Sequence, residues 1–138
     1  MNYNSNKKKL LIFLYTYRFS KIDWDRFEIN CFKNQYEVVV HDLLDIIHPG
    51  YNIGFKNNYN KDEILRFTKF FDWAINLIKL VVKFKKENIN VVTNLSYETI
   101  TEKLILCFLT IFRFKVVNFY VPGVAVPKAL PKKSSNQN

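Results

Sequence analysis

The segment YEVVVH (36–41) carries three consecutive valines, and few folds can accommodate it. A strand with one wet face alternates apolar and polar residues. A run without alternation is buried on both faces, as in a parallel sheet covered on each side. Three more short apolar runs, LLIFLY (10–15), INVVTN (89–94) and KVVNFYV (115–121), have the same character. Between them lie segments of helical period at 23–34, 62–86 and 97–112. Strand–helix alternation of this kind makes right-handed βαβ crossovers. The expected fold is α/β: a Rossmann-like or flavodoxin-like parallel sheet of about four strands with helices on both faces. Residues 42–60, with HPG and an Asn-rich patch, read as a loop with one helical turn. The domain is expected over 10–127. The residues before and after it, MNYNSNKKK (1–9) and PKKSSNQN at the end of 128–138, have the composition of flexible tails.

The formal net charge of +9 suggests an anionic partner. Part of that charge sits near the ends, at Lys7, Lys8, Lys9, Lys128, Lys132 and Lys133. The joint richness in Lys, Asn, Ile, Phe and Tyr is what AT-rich coding DNA produces. No nucleic-acid-binding signature occurs, so no specific nucleic-acid partner is expected. Cys31 and Cys107 sit inside apolar helical patterns with no CxxC or Cys/His cluster, and are expected to be buried free thiols with no metal site. The KKK–LLIFLYTY start imitates a signal peptide, but Arg18 ends the apolar run with no small-residue cleavage site after it. No run reaches the roughly 20 residues of a membrane span. A cytoplasmic location is expected.

The segment 62–86 reads as one long helix whose polar residues, among them Asp62, Arg66, Lys69, Asp72, Lys79 and Lys83, form a narrow stripe. The remaining apolar arc is far wider than the stripe of about 100° that a helix needs to cover a sheet. A neighbouring helix, a second domain or second copy, or a membrane surface would cover the remainder.

In open parallel sheets, ligands bind beyond the carboxyl ends of the strands. There the first strand delivers TYRFSKID. Ser20 and Asp23 have the spacing of a capping box, and acidic residues at that helix start make it a poor anion site. Arg18 is either an ion-pair partner of Asp25 or Glu28 or a bidentate clamp for a phosphate or carboxylate. Tyr17 lies beside it. Asp42, after the second strand, occupies the place of a ribose-binding acid. The chain has only three glycines, though, and lacks G-x-G-x-x-G and the Walker A motif, so no dinucleotide or other cofactor is expected. His41 and His48 flank Asp42 and Asp45, a grouping suited to acid–base work. Ser96 reads as the N-cap of the third helix. Pro122 and Gly123 form a turn after the last strand that could approach a ligand closely.

Together, FLYTYRFSKIDWDRFEI, YEVVVHDL and VVNFYVPGVAVP resemble the amino-terminal region of GT-B-type glycosyltransferase-like proteins from bacterial surface-polysaccharide gene clusters. The resemblance implies an acceptor-side Rossmann-like domain of a truncated or split enzyme, inactive by itself, with the donor sugar nucleotide held by a second domain. It also implies an acceptor at the inner membrane face. Tyr17, Arg18, His41 and the Pro122–Gly123 turn would then face the cleft. The implied partner is a second Rossmann-like domain. The competing expectation is a non-catalytic flavodoxin-like module that forms a homodimer through the 62–86 helix.

Overall fold

A computed structural model describes residues 9–51 and 59–119. The elements run β1 (Lys9–Tyr15), α1 (Lys21–Arg26), α2 (Ile29–Phe32), β2 (Tyr36–Asp42), α3 (Leu44–Ile47), β3 (Ile64–Arg66), α4 (Phe70–Phe84), β4 (Ile89–Thr93), α5 (Ile100–Ile111) and β5 (Lys115–Asn118). The strands form one sheet in the order β3-β2-β1-β4-β5, and every pairing is parallel. This is the α/β, Rossmann-like arrangement expected, with five strands among the described residues instead of about four.

Both faces of β1 are buried, as its lack of alternation requires. Leu10, Ile12 and Leu14 pack with Trp73 and Leu77 of α4 and with Ile105 and Leu109 of α5. Leu11 and Phe13 turn the other way, with Val38 and Val40 of β2, towards Trp24 and Ile29 of the α1–α2 side. Each such side chain contributes about 1.5–3 kcal/mol by leaving water. β1 is therefore the axis of the core.

Three expected elements change. The helix expected to start at 62 gives up its first residues to β3, whose Ile64 and Arg66 pair with Val40 and Asp42. Three residues are too short to display any period, and pairing with the edge of β2 overrides their weak strand propensity. The helix expected at 23–34 is broken at Glu28, which adopts φ 49°. In an unbroken helix Trp24 and Ile29 would project about 140° apart. The break lets both reach the same core, and both are buried. The third helix starts at Ile100, capped by Thr99, and not at 97, because Tyr97 takes φ 64°.

α5 covers one flank of the wide apolar arc on α4: Phe108 packs on Phe70 and Trp73 at ring separations of 6.3 and 5.4 Å. The outward stripe Phe71, Ile75, Ile78 and Val82 stays exposed. Cys31 and Cys107 are exposed free thiols, which corrects their expected burial: Cys31 lies on the outer side of the short α2 beyond the break at Glu28, and Cys107 on the outer side of α5. Among the described residues no helix is long and apolar enough to cross a membrane.

Candidate functional site

The strand order reverses between β1 and β4, so the place to look is beyond their carboxyl ends. Three carboxylates organise that edge.

Asp42 ends β2 with a fully buried side chain. Its Oδ2 accepts from the Phe19 N–H at 3.0 Å and its Oδ1 from the Leu44 N–H at 3.2 Å. Arg18 and Arg66 close on it at 3.4 and 3.6 Å. Burial pushes its carboxyl above the ordinary range, and the two N–H groups and two guanidiniums oppose that push. Arg18 also donates to Asp45 at 2.7 Å. Burial disfavours its charge, but Asp45 and Asp42 outweigh that, and its proton is held more tightly than usual. Arg18 therefore pairs with Asp42 and Asp45. Of the two partners expected from sequence, Asp25 is taken by Lys21 at 2.6 Å instead.

Asp23 closes the capping box foreseen at α1. It accepts from the Ser20 N–H at 2.9 Å and the Ser20 hydroxyl at 2.6 Å. The Tyr15 hydroxyl donates to it at 2.9 Å, and burial together with that carboxylate raises the phenol's pKa.

Glu102 does the same for α5. Its carboxylate accepts from the N–H groups of Ser96, Glu98 and Thr99 at 3.0, 3.1 and 2.9 Å, and from both hydroxyls. Burial works against its charge, yet this set of donors holds its pKa below the usual glutamate range. Ser96 is thus a donor to Glu102, while Thr99 is the cap. The T-x-x-E spacing of Thr99 and Glu102 carries that signal in the sequence.

Nearby, the Thr16 N–H donates to Asn94 Oδ1 at 2.9 Å, joining the β1 and β4 turns. Asn118 Nδ2 donates to the Leu95 carbonyl at 3.1 Å and to the Tyr97 hydroxyl. At each of the three turns, backbone donors that a Rossmann sheet could turn toward a phosphate are bonded to the chain's own carboxylates: Phe19 and Ser20 after β1, Leu44 after β2, and Ser96, Glu98 and Thr99 after β4.

No family model, curated protein or solved structure matches this chain.

Of the residues singled out from sequence, Tyr17, Arg18 and Asp42 gather at this edge. His41 does not face it. Its ring is fully buried beneath the sheet, its Nδ1 accepts from Trp73 Nε1 at 3.2 Å, and Phe67 packs on it at 5.0 Å. Desolvation pushes its pKa down to about 3, so it is neutral and out of reach of a substrate. Pro122 and Gly123 lie outside the described residues. His48 stacks with Tyr17 at 6.5 Å and packs on Tyr51 at 6.0 Å, forming an aromatic shelf in which Tyr17 and His48 are half-buried and Tyr51 is exposed. Sequence reasoning missed Tyr51, Arg66, Asn94 and Asn118. Arg66 has no sequence signal, since its place depends on β3. Among the described residues no group of three or more His, Cys, Asp or Glu side chains could hold a metal ion.

Among the described residues, such an edge has fewer backbone donors left for a pyrophosphate and offers aromatic faces next to hydrogen-bonding side chains. That combination suits an uncharged, hydroxyl-rich ligand better than an anionic one.

Proposed function

We propose that this chain is an acceptor-side, Rossmann-like domain of a GT-B-like glycosyltransferase system of surface-polysaccharide assembly, holding sugar without binding nucleotide. It has no transferase activity by itself. One observation carries the reading: among the described residues Asp42, Asp23 and Glu102 accept from backbone donors at the carboxyl edge, where an anion would otherwise bind, and the Tyr17–His48–Tyr51 aromatic shelf lies nearby. In a two-domain enzyme of this type the nucleotide belongs to the other domain, so a first domain whose described turns spend backbone donors on its own carboxylates fits that role. The sequence resemblance supports the same reading. The sugar would lie against the shelf, with Asp45 and Arg18 within reach of its hydroxyls.

The test is binding by NMR, with oligosaccharide and nucleoside diphosphate titrated separately. The expected result is that oligosaccharide shifts the resonances of Tyr17, His48 and Tyr51 while the nucleoside diphosphate leaves the carboxyl edge unmoved. Micromolar nucleotide binding at that edge, or no response of the shelf to any of a panel of oligosaccharides, overturns the reading.

A second reading, a non-catalytic flavodoxin-like interaction module, is favoured by the exposed apolar stripe Phe71, Ile75, Ile78 and Val82 on α4.

A further inference from the structure

The exposed stripe of α4 steps by four, three and four residues: Phe71, Ile75, Ile78, Val82. α5 repeats the same spacing with Ile100, Leu104, Cys107 and Ile111, all exposed. This is the a/d rhythm of a helix that packs on another helix, here carried twice on surfaces facing water. The α4 stripe borders a groove whose other wall comes from the α5 side, at Phe108 and Phe112. Ile78 and Val82 of α4 and Phe112 after α5 are exposed, and they also line the apolar groove between the two helices. Phe71, Val82, Ile100 and Ile111 are 77%, 79%, 77% and 75% exposed.

We infer that this α4–α5 face pairs two copies of the chain across a two-fold axis perpendicular to the helices, α4 against α4 and α5 against α5, as an antiparallel four-helix interface. Size is the first argument. The two stripes and Phe112 leave on the order of 900 Å² of apolar surface in water, against the roughly 800 Å² each partner gives to a standard interface. Charge is the second. The flank of α4 away from α5 carries Asp72 in its first turn, with Lys79 and Lys83 further along. An antiparallel pairing centred between Ile75 and Ile78 brings Asp72 of one copy opposite position 81 of the other, beside its Lys79, while Lys83 on the same flank holds Glu37 at 3.3 Å. The two-fold makes that pairing twice. A parallel pairing would set lysine against lysine. The alternation of acid and lysine along that flank is complemented by a second copy and not by a uniformly anionic lipid surface. The inference does not depend on the sugar reading, because it uses a helix face and not the carboxyl edge.

Sedimentation velocity across a micromolar range tests it. A concentration-dependent monomer–dimer equilibrium is expected. Val82→Glu, at an exposed position that leaves the core untouched, weakens the dimer by about 100-fold with an unchanged near-UV spectrum. Asp72→Lys and Lys79→Glu each weaken it about tenfold, and together they restore it. In a Cys31→Ser background, a short bismaleimide joins two chains through Cys107. A monomer at every concentration overturns the inference. So does a dimer indifferent to Val82→Glu, or charge reversals that do not rescue each other. Co-sedimentation of monomer with vesicles, abolished by Val82→Glu, also overturns it and assigns the face to lipid.

Discussion

Burial of His41 makes this fold sensitive to mild acid. The Nδ1 lone pair accepts the indole N–H of Trp73 at 3.2 Å, which places the proton of the neutral ring on Nε2. Nε2 has no hydrogen-bond partner. Protonating Nδ1 would aim one N–H donor at another, at a residue with no solvent exposure. The folded state therefore holds His41 neutral down to about pH 3, while in the unfolded chain it takes a proton near 6.5. As pH falls, the unfolded chain binds the proton first, so stability is intact above about 6.5 and declines below it by about 1.4 kcal/mol per pH unit. Between pH 7 and pH 5 the loss comes to about 2 kcal/mol. Glu102 and Glu63, whose pKa values lie below the ordinary glutamate value of 4.5, contribute their own losses only below that pH. Urea unfolding at pH 7, 6 and 5 reads the effect. His41→Gln keeps an acceptor for Trp73 without a titrating group, and it should flatten the pH dependence over this window. An unchanged slope in His41→Gln, or an imidazole resonance of His41 titrating near pH 6 in the folded protein, would refute the argument.

Other perturbations follow from the carboxylates at the strand ends. Glu102→Ala removes the acceptor of three backbone N–H groups and should cost about 2–3 kcal/mol in denaturant melts, with Glu102→Gln costing roughly half as much. Arg18→Ala leaves Asp42 buried with one arginine fewer and should cost about 3 kcal/mol. Adding Asp42→Asn to Arg18→Ala should recover part of that loss, and a strictly additive double mutant would count against the pairing. At concentrations low enough to keep the chain monomeric, a thiol-specific dye should label both Cys31 and Cys107 without unfolding. A thiol that labels only in denaturant would contradict its exposed position.

The sequence announced the sheet because β1 and β2 lack alternation, and only burial on both faces explains that. It announced the α1 capping box because the contacts are local, three residues apart. It did not announce β3, which is a strand only because β2 has an edge to fill. It placed the third helix's cap at Ser96, although the T-x-x-E at Thr99 and Glu102 was legible. The break at Glu28 went unseen because helical period continues through it, while the need to aim Trp24 and Ile29 at one core is tertiary. Within the candidate site, Arg18 is legible as the cation at the end of β1, but its partners are not: Asp42 and Asp45 reach it only when β1 and β2 lie side by side. His41 looked cleft-facing because it ends a strand run. Its ring turns under the sheet toward Trp73, a residue far along the chain.

Asp42 also bears on the order in which the molecule comes apart. One side chain ties the turn after β1 through Phe19, the turn after β2 through Leu44, and β3 through Arg66. Releasing any one of them strands a buried carboxylate, so the three segments open as one cooperative unit. Their amide protons should exchange with deuterium together, the N–H of Phe19 in step with that of Leu44, and Asp42→Asn should let the two turns exchange independently.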